Sequence, residues 1–488
     1  MPRASKLTPM LRHYVQVKSE HPDAILFYRM GDFYEMFFED AVTAAPVLEI
    51  ALTARQKGTE SEAPMCGVPH HALESYLGKM IRAGYKVAIC DQVEDPAEAK
   101  GLVRREVTRV VTPGTLSEPE LLEGKEDNLL CAVSWRNGAG AGAFLDVSTG
   151  KLVIHRWRSA EEAVEDLAVL QPSELVFGEK ELPADLGTWA ELQKVCRSPV
   201  ADRDLMTPRV ATRLLESQFE VASLRGYGLA DDEPATLATA TALRYARDTQ
   251  KSGLDHVRDL RIHEERSSMV LDETTLHNLE VVQSQRGGRR GSLLGVVDRT
   301  RTGMGGRELR SWLLQPSLDR REILRRHDAV EELHDRGDRR DTVAAGLERI
   351  SDLERLLSRA VLGAMTPREL GALRDSLIEA GRLVPALADS RAEVVAGIAA
   401  LDPLADVAEL LSSSLETELP AQVKQGGVIA AGIDDDLDRC RSLLRDSKQH
   451  ILSLEAGERK RTGISSLKIG YNRVFGYYLE VTKANQSR

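Results

Sequence analysis

The sequence predicts a multidomain protein of the α/β plus α class. Two N-terminal α/β domains, each a mixed sheet with helices, should precede a helical domain and a long coiled-coil-like arm that ends in a small β element. The chain has 488 residues, 42% of them hydrophobic, which is enough for three or four domains. Strand-like runs alternate with helical patterns up to about residue 206, and beyond it apolar residues return every three or four positions.

The first elements follow from local signals. A helix should begin at Thr8-Pro9, because threonine is a good N-cap and proline suits the first helical position. The apolar run 24–30 predicts a buried strand, and Gly31-Asp32 predicts a sharp turn. We expect Phe33 to stand at the start of the next helix.

Further strands complete two α/β domains. Residues 86–90 and 109–112 should be strands of the first domain, which spans 1–115 and is followed by an acidic linker at 116–127. The second domain should contain a meander of three strands, a helix and a fourth strand. These are expected at 129–135, 142–147, 152–156, 160–170 and 174–177.

Helical patterns dominate the remainder. Thr366-Pro367-Arg368-Glu369 is a capping box, and apolar stripes lie on both sides of it. A heptad pattern on Leu437, Cys440, Leu444, Ile451 and Leu454 predicts one helix over 434–461, about 40 Å long. Two strands should follow, at 466–471 and 473–482. The second helix that an antiparallel arm requires does not follow them, so we expect the C-terminus to be cut short.

Composition excludes several classes of protein. The net charge of −11 argues against a protein that coats nucleic acid through bulk charge, but residues 441–488 carry ten Lys or Arg against four Asp or Glu. That segment could meet phosphates. Five scattered cysteines without a CxxC pair suggest neither a disulfide framework nor a zinc site. Without a long apolar run or a signal segment, the chain is expected to be cytoplasmic and not membrane-bound.

Motifs for catalysis are missing from the sequence. It contains no GxxxxGK[ST] loop for a nucleotide, and Cys66, His70 and His71 lack a fourth ligand and the usual spacing for a metal. We therefore expect no cofactor, no metal and no catalytic residue, and the chain is not predicted to be an enzyme.

Residues 27–38 hold four of the eight phenylalanines and two of the ten tyrosines. Two interpretations of this cluster stay open. Phe33 could be a core residue and Glu35 a carboxylate in the first turn of a helix, where the helix dipole favours it. Alternatively, the Phe33 ring could be pushed between base steps from the minor groove and kink the duplex, which a mispair would resist less.

Four motifs in order resemble the mismatch-recognition domain of the MutS family of bacterial mismatch repair proteins. They are FYRMGDFYEMFFEDA (27–41), PMCGVPHHA (64–72), VAICDQVEDPAEAKG (87–101) and VTRVVTPGT (107–115). MVLDETTLHN (269–278) and GSLLGVVDRTR (291–301) resemble the lever of that family, and RTGISSLKIGYNRVFGYYLEVTKAN (461–485) resembles its DNA clamp. The resemblance implies an RNase H-like connector at 128–250, an incomplete lever at 251–430 and a truncated clamp at 431–488.

The resemblance also implies roles for residues. Phe33 would wedge beside the mispair, and Glu35 would hydrogen-bond the displaced base. Six cations of the clamp are candidates for phosphate contact, although each alone is more often a solvated surface charge: Arg459, Lys460, Arg461, Lys468, Arg473 and Lys483. Full-length members use ATP and Mg²⁺ in a P-loop domain that this sequence lacks. They also form homodimers and bind a MutL-type partner, and here we expect a weak dimer or a monomer.

Three functions are consistent with these observations. The first is binding of mispaired or looped-out bases in duplex DNA. A second is a scaffold that docks repair proteins without binding DNA itself, and a third is an enzyme acting on DNA structure, against which the missing metal and nucleotide motifs count. Comparing a G·T duplex with its G·C control separates the first two.

Overall fold

A computed structural model describes residues 7–58, 62–94, 103–264, 267–445, 447–472 and 476–482. The chain forms two compact units. The first comprises 1–365 and 375–405, and the second comprises 366–374 and 406–488. The first unit contains two six-stranded sheets and helices, and the second contains helices and a two-stranded sheet. The predicted fold class is confirmed.

The first sheet is mixed. Its strands are β1 (Ala24–Met30), β2 (Phe33–Phe37), β3 (Thr53–Arg55), β4 (Ala63–Pro69), β5 (Lys86–Gln92) and β6 (Arg105–Val111). Their order in the sheet is β3-β4-β2-β1-β5-β6, and β1 and β5 alone run parallel. Helix α1 (Pro9–Glu20) packs on one face, and α2 (Phe38–Leu48) and α3 (Leu73–Arg82) pack mainly on the other. The predicted Thr8 cap of α1 is confirmed.

The segment after Gly31-Asp32 differs from the prediction. Phe33 begins strand β2, and the helix starts five residues later at Phe38. The reason is the two-residue turn, in which Gly31 has a φ of +58° and Met30 pairs directly with Phe33. Such turns with glycine first return the chain as an antiparallel strand. The interpretation of Glu35 as a first-turn helical carboxylate is therefore wrong.

The second sheet has a central meander. Its strands are β7 (Leu130–Arg136), β8 (Ala139–Asp146), β9 (Lys151–Trp157), β10 (Glu174–Gly178), β11 (Cys196–Val200) and β12 (Arg261–Ile262), in the order β11-β10-β7-β8-β9-β12. Helices α4 (Ala160–Leu170) and α5 (Ala184–Leu192) cover one face, and α6 (Pro208–Gln218) and α7 (Glu233–Gln250) cover the other. The four predicted strands and the predicted helix are confirmed to within three residues.

A buried carboxylate joins the two sheets. Glu174 is fully buried on β10, and the chain that leaves β6 turns directly above it. Thr112 donates its hydroxyl proton to Glu174 Oε2, and the Gly114 amide donates to the same oxygen at 3.0 Å. The hydroxyls of Ser198 and Tyr245 donate to Oε1. Since buried charges are tolerated only when they are hydrogen-bonded, the carboxylate requires this junction.

Cationic side chains hold the segment 123–126. Arg355 Nη2 donates to the carbonyl oxygens of Glu123 (3.0 Å) and Glu126 (2.9 Å). Arg307 Nη1 donates to the carbonyl oxygen of Gly124 at 3.0 Å. Lys125 contacts Asp298 at 3.0 Å. The expected linker is therefore tied to the helices that follow it.

The helices after the second sheet are mostly short. They are α8 (Glu273–Asn278), α9 (Leu293–Val297), α10 (Gly303–Leu314), α11 (Arg320–Asp335), α12 (Gly337–Leu347), α13 (Leu353–Val361), α14 (Pro367–Ala386), α15 (Glu393–Ala399) and α16 (Ala405–Ser414). The predicted capping box at the start of α14 is confirmed. The Glu369 carboxylate accepts the Thr366 amide at 2.7 Å, and the Thr366 hydroxyl accepts the Glu369 amide at 3.3 Å.

The predicted long arm is helical on both sides of residue 446, in α17 (Asp435–Arg445) and α18 (Ser447–Thr462), and residue 446 itself lies outside the described part of the chain. Two of the heptad side chains, Leu444 and Leu454, are 80% and 60% exposed. The two predicted strands correspond to β13 (Lys468–Asn472) and β14 (Gly476–Glu480), which pair antiparallel, and residues 473–475 between them lie outside the described part of the chain.

Candidate nucleic-acid interface

Phe33 lies at the tip of the β1–β2 hairpin, and its side chain is 46% exposed. The interpretation of Phe33 as a core residue is therefore wrong. Because successive residues of a strand point to opposite faces, Phe33 and Glu35 share one face of the sheet. Tyr34 and Met36 point to the other face and are buried. The two predicted mismatch-binding residues thus lie side by side.

Backbone contacts hold the tip of the hairpin in place. The Arg29 side chain donates from Nε to the Gly31 carbonyl oxygen at 2.6 Å. The His70 amide, just after β4, donates to the Asp32 carbonyl oxygen at 2.9 Å. Pro69 pairs with Phe33 across the sheet. The PMCGVPHHA motif therefore supports the turn that presents the Phe33 ring.

The base of the hairpin is anchored in the core. Tyr34 donates its hydroxyl proton to Asp91 Oδ1 at 2.6 Å. The buried Phe37 ring packs edge-on against Tyr14, with ring centroids 5.1 Å apart. Tyr14 in turn donates to the buried Asp40 carboxylate at 2.8 Å. An exposed ring thus projects from a firmly packed strand.

Glu35 is largely buried and has a cationic neighbour. Arg55 on β3 donates from Nη1 to Glu35 Oε2 at 3.0 Å. Burial raises the pKa of the Glu35 carboxyl, and the Arg55 cation opposes that rise. Gly67 pairs with Glu35 on β4 and has no side chain, so the surface beside the carboxylate stays open.

The arrangement offers two contacts to a flat partner. An apolar ring can enter a base step, and a carboxylate two residues further along the same face can accept a hydrogen bond from a base.

In the described ranges, no group of three or more His, Cys, Asp or Glu side chains is placed to hold a metal ion. Among the described helices, none combines the length and the apolar character that crossing a membrane requires.

Four of the six clamp candidates lie in the described part of the chain. Arg459, Lys460 and Arg461 form the last turn of α18, and Lys468 opens β13. Arg459 contacts Glu455 at 2.6 Å, and Arg461 contacts Glu458 at 2.7 Å. Lys460 and Lys468 are exposed. The remaining two candidates, Arg473 and Lys483, fall outside the described residues.

Tyrosines on the β13–β14 hairpin were not among the predicted site residues. Tyr471 and Tyr477 are paired across the hairpin, their ring centroids are 5.0 Å apart, and each is 63% exposed. Exposed aromatic rings beside cations are typical of surfaces that contact nucleic acid. The signal was present in the sequence, as tyrosines in two adjacent predicted strands.

Two arginines of the first sheet were also missed. Arg55 contacts Glu35 from a strand that follows it by about 20 residues. Arg105 is buried and lies over the Tyr28 ring at 5.2 Å, and it donates to the Arg29 carbonyl oxygen at 2.8 Å. Both contacts depend on strand order, which no local pattern indicates.

Comparison with known proteins gives consistent matches along the chain. Residues 8–120 match the family model of MutS domain I, residues 128–258 that of MutS domain II, and residues 274–467 that of MutS domain III. Together these models cover most of the chain, in the order that the sequence motifs suggested.

Curated relatives carry the name "DNA mismatch repair protein MutS". One from Myxococcus xanthus is 45% identical over 488 residues, which is 99% of this chain and 54% of the relative. Another from Symbiobacterium thermophilum is 45% identical and covers 99% of this chain and 56% of the relative. A third from Solibacter usitatus is 44% identical, with 98% and 56% covered. The chain spans about half the length of these relatives, and it belongs to the MutS family.

Proposed function

We propose that this chain binds duplex DNA at mispaired or looped-out bases and so serves DNA mismatch repair. In this proposal the Phe33 ring enters the minor groove beside the mispair, and Glu35 accepts a hydrogen bond from the displaced base. The observation that carries the proposal is an exposed phenyl ring on a rigid hairpin, with a carboxylate on the same face.

Energetic arguments support a wedge as a sensor of weak base steps. Inserting a ring between stacked bases costs roughly a few kcal/mol of unstacking. A mispair has lost part of its stacking and pairing already, so the same insertion costs less there. An advantage of roughly 1 to 3 kcal/mol corresponds to about 5- to 150-fold tighter binding.

Glu35 adds selectivity by disfavouring correctly paired DNA, whereas the Phe33 ring favours mispaired DNA. A carboxylate near phosphates is unfavourable unless a base donor compensates it, and a correctly paired base offers fewer free donors. Correct DNA is thereby penalised more than mispaired DNA. Lys460 and Lys468 in the second unit are proposed to contact phosphates, which would position the duplex without reading its sequence.

The test compares binding of a G·T duplex and its G·C control by fluorescence anisotropy at one fixed salt concentration, because phosphate contacts vary with salt. We expect the wild type to prefer the G·T duplex and Phe33→Ala to bind both alike. Val42→Ala is the matched control, since Val42 is similarly exposed on α2 of the same domain. Equal binding of the two duplexes by the wild type would contradict the proposal and favour the scaffold.

Other properties remain predictions from the sequence patterns and the resemblance. They include the domain boundaries, the cytoplasmic location, a MutL-type partner, and weak or absent dimerisation of this chain. ATP and Mg²⁺ are proposed for longer members of the family, and no residue of this chain is assigned to them or to catalysis.

A further inference from the structure

The carboxylate of Glu35 has a fixed cationic partner in the absence of DNA. The 3.0 Å contact from Arg55 Nη1 to Glu35 Oε2 joins two strands that are not neighbours, since β4 lies between β3 and β2. Arg55 pairs with Ala63 on β4, and Glu35 pairs with Gly67 four residues further along. The arginine therefore reaches diagonally over β4 to meet the carboxylate.

Arg55 is held in that position by its own contacts. Its Nη1 lies 3.6 Å from the Met30 sulfur, and its guanidinium lies over the Phe37 ring, 6.0 Å from the centroid. These contacts belong to the two strands of the hairpin that presents Phe33. A cation placed in this way limits the orientations available to the Glu35 side chain.

Resting on the proposed function, we propose that Arg55 is a positioning residue that sets the specificity of the mismatch site through Glu35. It orients the Glu35 carboxylate on the face of the sheet that also carries the Phe33 ring. It also keeps this carboxylate charged at the surface that would contact DNA. The direct alternative, in which Arg55 binds only a phosphate, would affect mispaired and paired duplexes equally.

The consequence concerns the penalty on correctly paired DNA. With Arg55 present, a charged and oriented carboxylate disfavours a duplex that offers no base donor. Without Arg55, a carboxylate that is already largely buried gains by taking up a proton or by turning toward water. The penalty then falls, and paired DNA binds relatively better.

The test is a double-mutant cycle on the full chain, and the measured quantity is the ratio of G·T to G·C affinity. We expect Arg55→Gln to lower this ratio by roughly two- to fivefold, the range of a partly exposed ion pair. In the Glu35→Gln background, the same substitution should change the ratio by less than about twofold, because the partner of Arg55 is already neutral. Arg55→Lys should restore most of the ratio, since it keeps the positive charge.

Arg104→Gln is the matched control. Arg104 also pairs with a carboxylate in the first domain, Glu106 at 2.8 Å, but both side chains are exposed. We expect it to leave the ratio unchanged, and retained binding of the G·C duplex reports that each variant is folded. A drop that persists in the Glu35→Gln background, or a Lys variant no better than the Gln variant, would overturn the assignment.

Failure of this inference can be told apart from failure of the proposed function. If the wild type binds both duplexes alike, the proposed function fails and the role of Arg55 with it. If the wild type prefers the G·T duplex and Arg55→Gln keeps the same ratio, only the role of Arg55 is refuted.

Discussion

Replacing Arg307 should loosen the segment that follows the first domain. Arg307 is only 5% exposed, and its guanidinium forms two parallel contacts with Asp352, at 2.6 and 2.9 Å. It also contacts Glu354 at 2.6 Å and the Gly124 carbonyl oxygen at 3.0 Å. Arg307→Met keeps an apolar stem of similar length but removes these donors.

The expected loss of local stability depends on the acidic groups that lose their partner when Arg307 is replaced. Breaking a buried ion pair by removing one member costs about 3 to 5 kcal/mol. Asp352 and Glu354 are partly exposed, so water can replace some of the lost donors. We therefore expect a local loss of roughly 2 to 3 kcal/mol.

Hydrogen exchange is the suitable assay, because a melting temperature is not well defined for a multidomain chain. Two amides report on the segment: Glu126 donates to the Glu123 carbonyl oxygen at 3.3 Å, and Asn128 donates to the Asp146 carboxylate at 2.9 Å. Both amides should exchange roughly 30- to 150-fold faster in Arg307→Met than in the wild type, because a loss of roughly 2 to 3 kcal/mol in local stability corresponds to that factor.

Arg301→Met is the control for this experiment. Arg301 contacts Glu348 at 2.8 Å, but both side chains are about half exposed, so its removal should accelerate exchange less than about fivefold. If Arg307→Met and Arg301→Met had the same small effect, the buried cluster would not hold the segment.

Four further predictions concern the hairpin. Glu35→Ala should bind the G·C duplex more tightly than the wild type, and unchanged affinity would refute the repulsion. Because burial raises the pKa of Glu35, its charge is lost at a higher pH than for an ordinary carboxyl; G·C binding should therefore tighten more from pH 7.5 to 5.5 in the wild type than in Glu35→Ala. Gly31→Ala should cost about 1 to 2 kcal/mol, because a φ of +58° strains alanine, and the G·T preference should fall with it. Tyr34→Phe loses the contact with Asp91 and should lower the free energy of unfolding of the first domain, followed by hydrogen exchange, by about 1 kcal/mol, without abolishing the preference for the G·T duplex.

Elements with local signals were predictable from the sequence. Helix α4 was expected at 160–170 and lies there, because Ser159 is a good N-cap that accepts the Glu162 amide. The capping box at Thr366 likewise identified the start of α14. These signals act between residues three or four positions apart, so they can be read without knowing the fold.

Strand β2 could not be assigned in the same way. Residues 33–37 are mostly aromatic or apolar, and a short run of this kind fits a helix or a strand equally. The turn at Gly31 indicated a change of direction but not the element that followed. The Arg55–Glu35 contact was less accessible still, since it depends on the order β3-β4-β2 and on its register. Pairing between strands that are distant in the sequence produces no periodic pattern of residues from which it could be predicted.

The junction at Glu174 has a mechanical consequence for the Phe33 ring. A side chain can separate stacked bases only if the protein around it deforms less easily than the base stack does. The buried Glu174 carboxylate links the end of the first sheet to the second sheet through hydrogen bonds. The hairpin is therefore supported by both sheets. In the proposed binding mode, the force on the ring would be borne by both sheets together, and the duplex rather than the protein would bend.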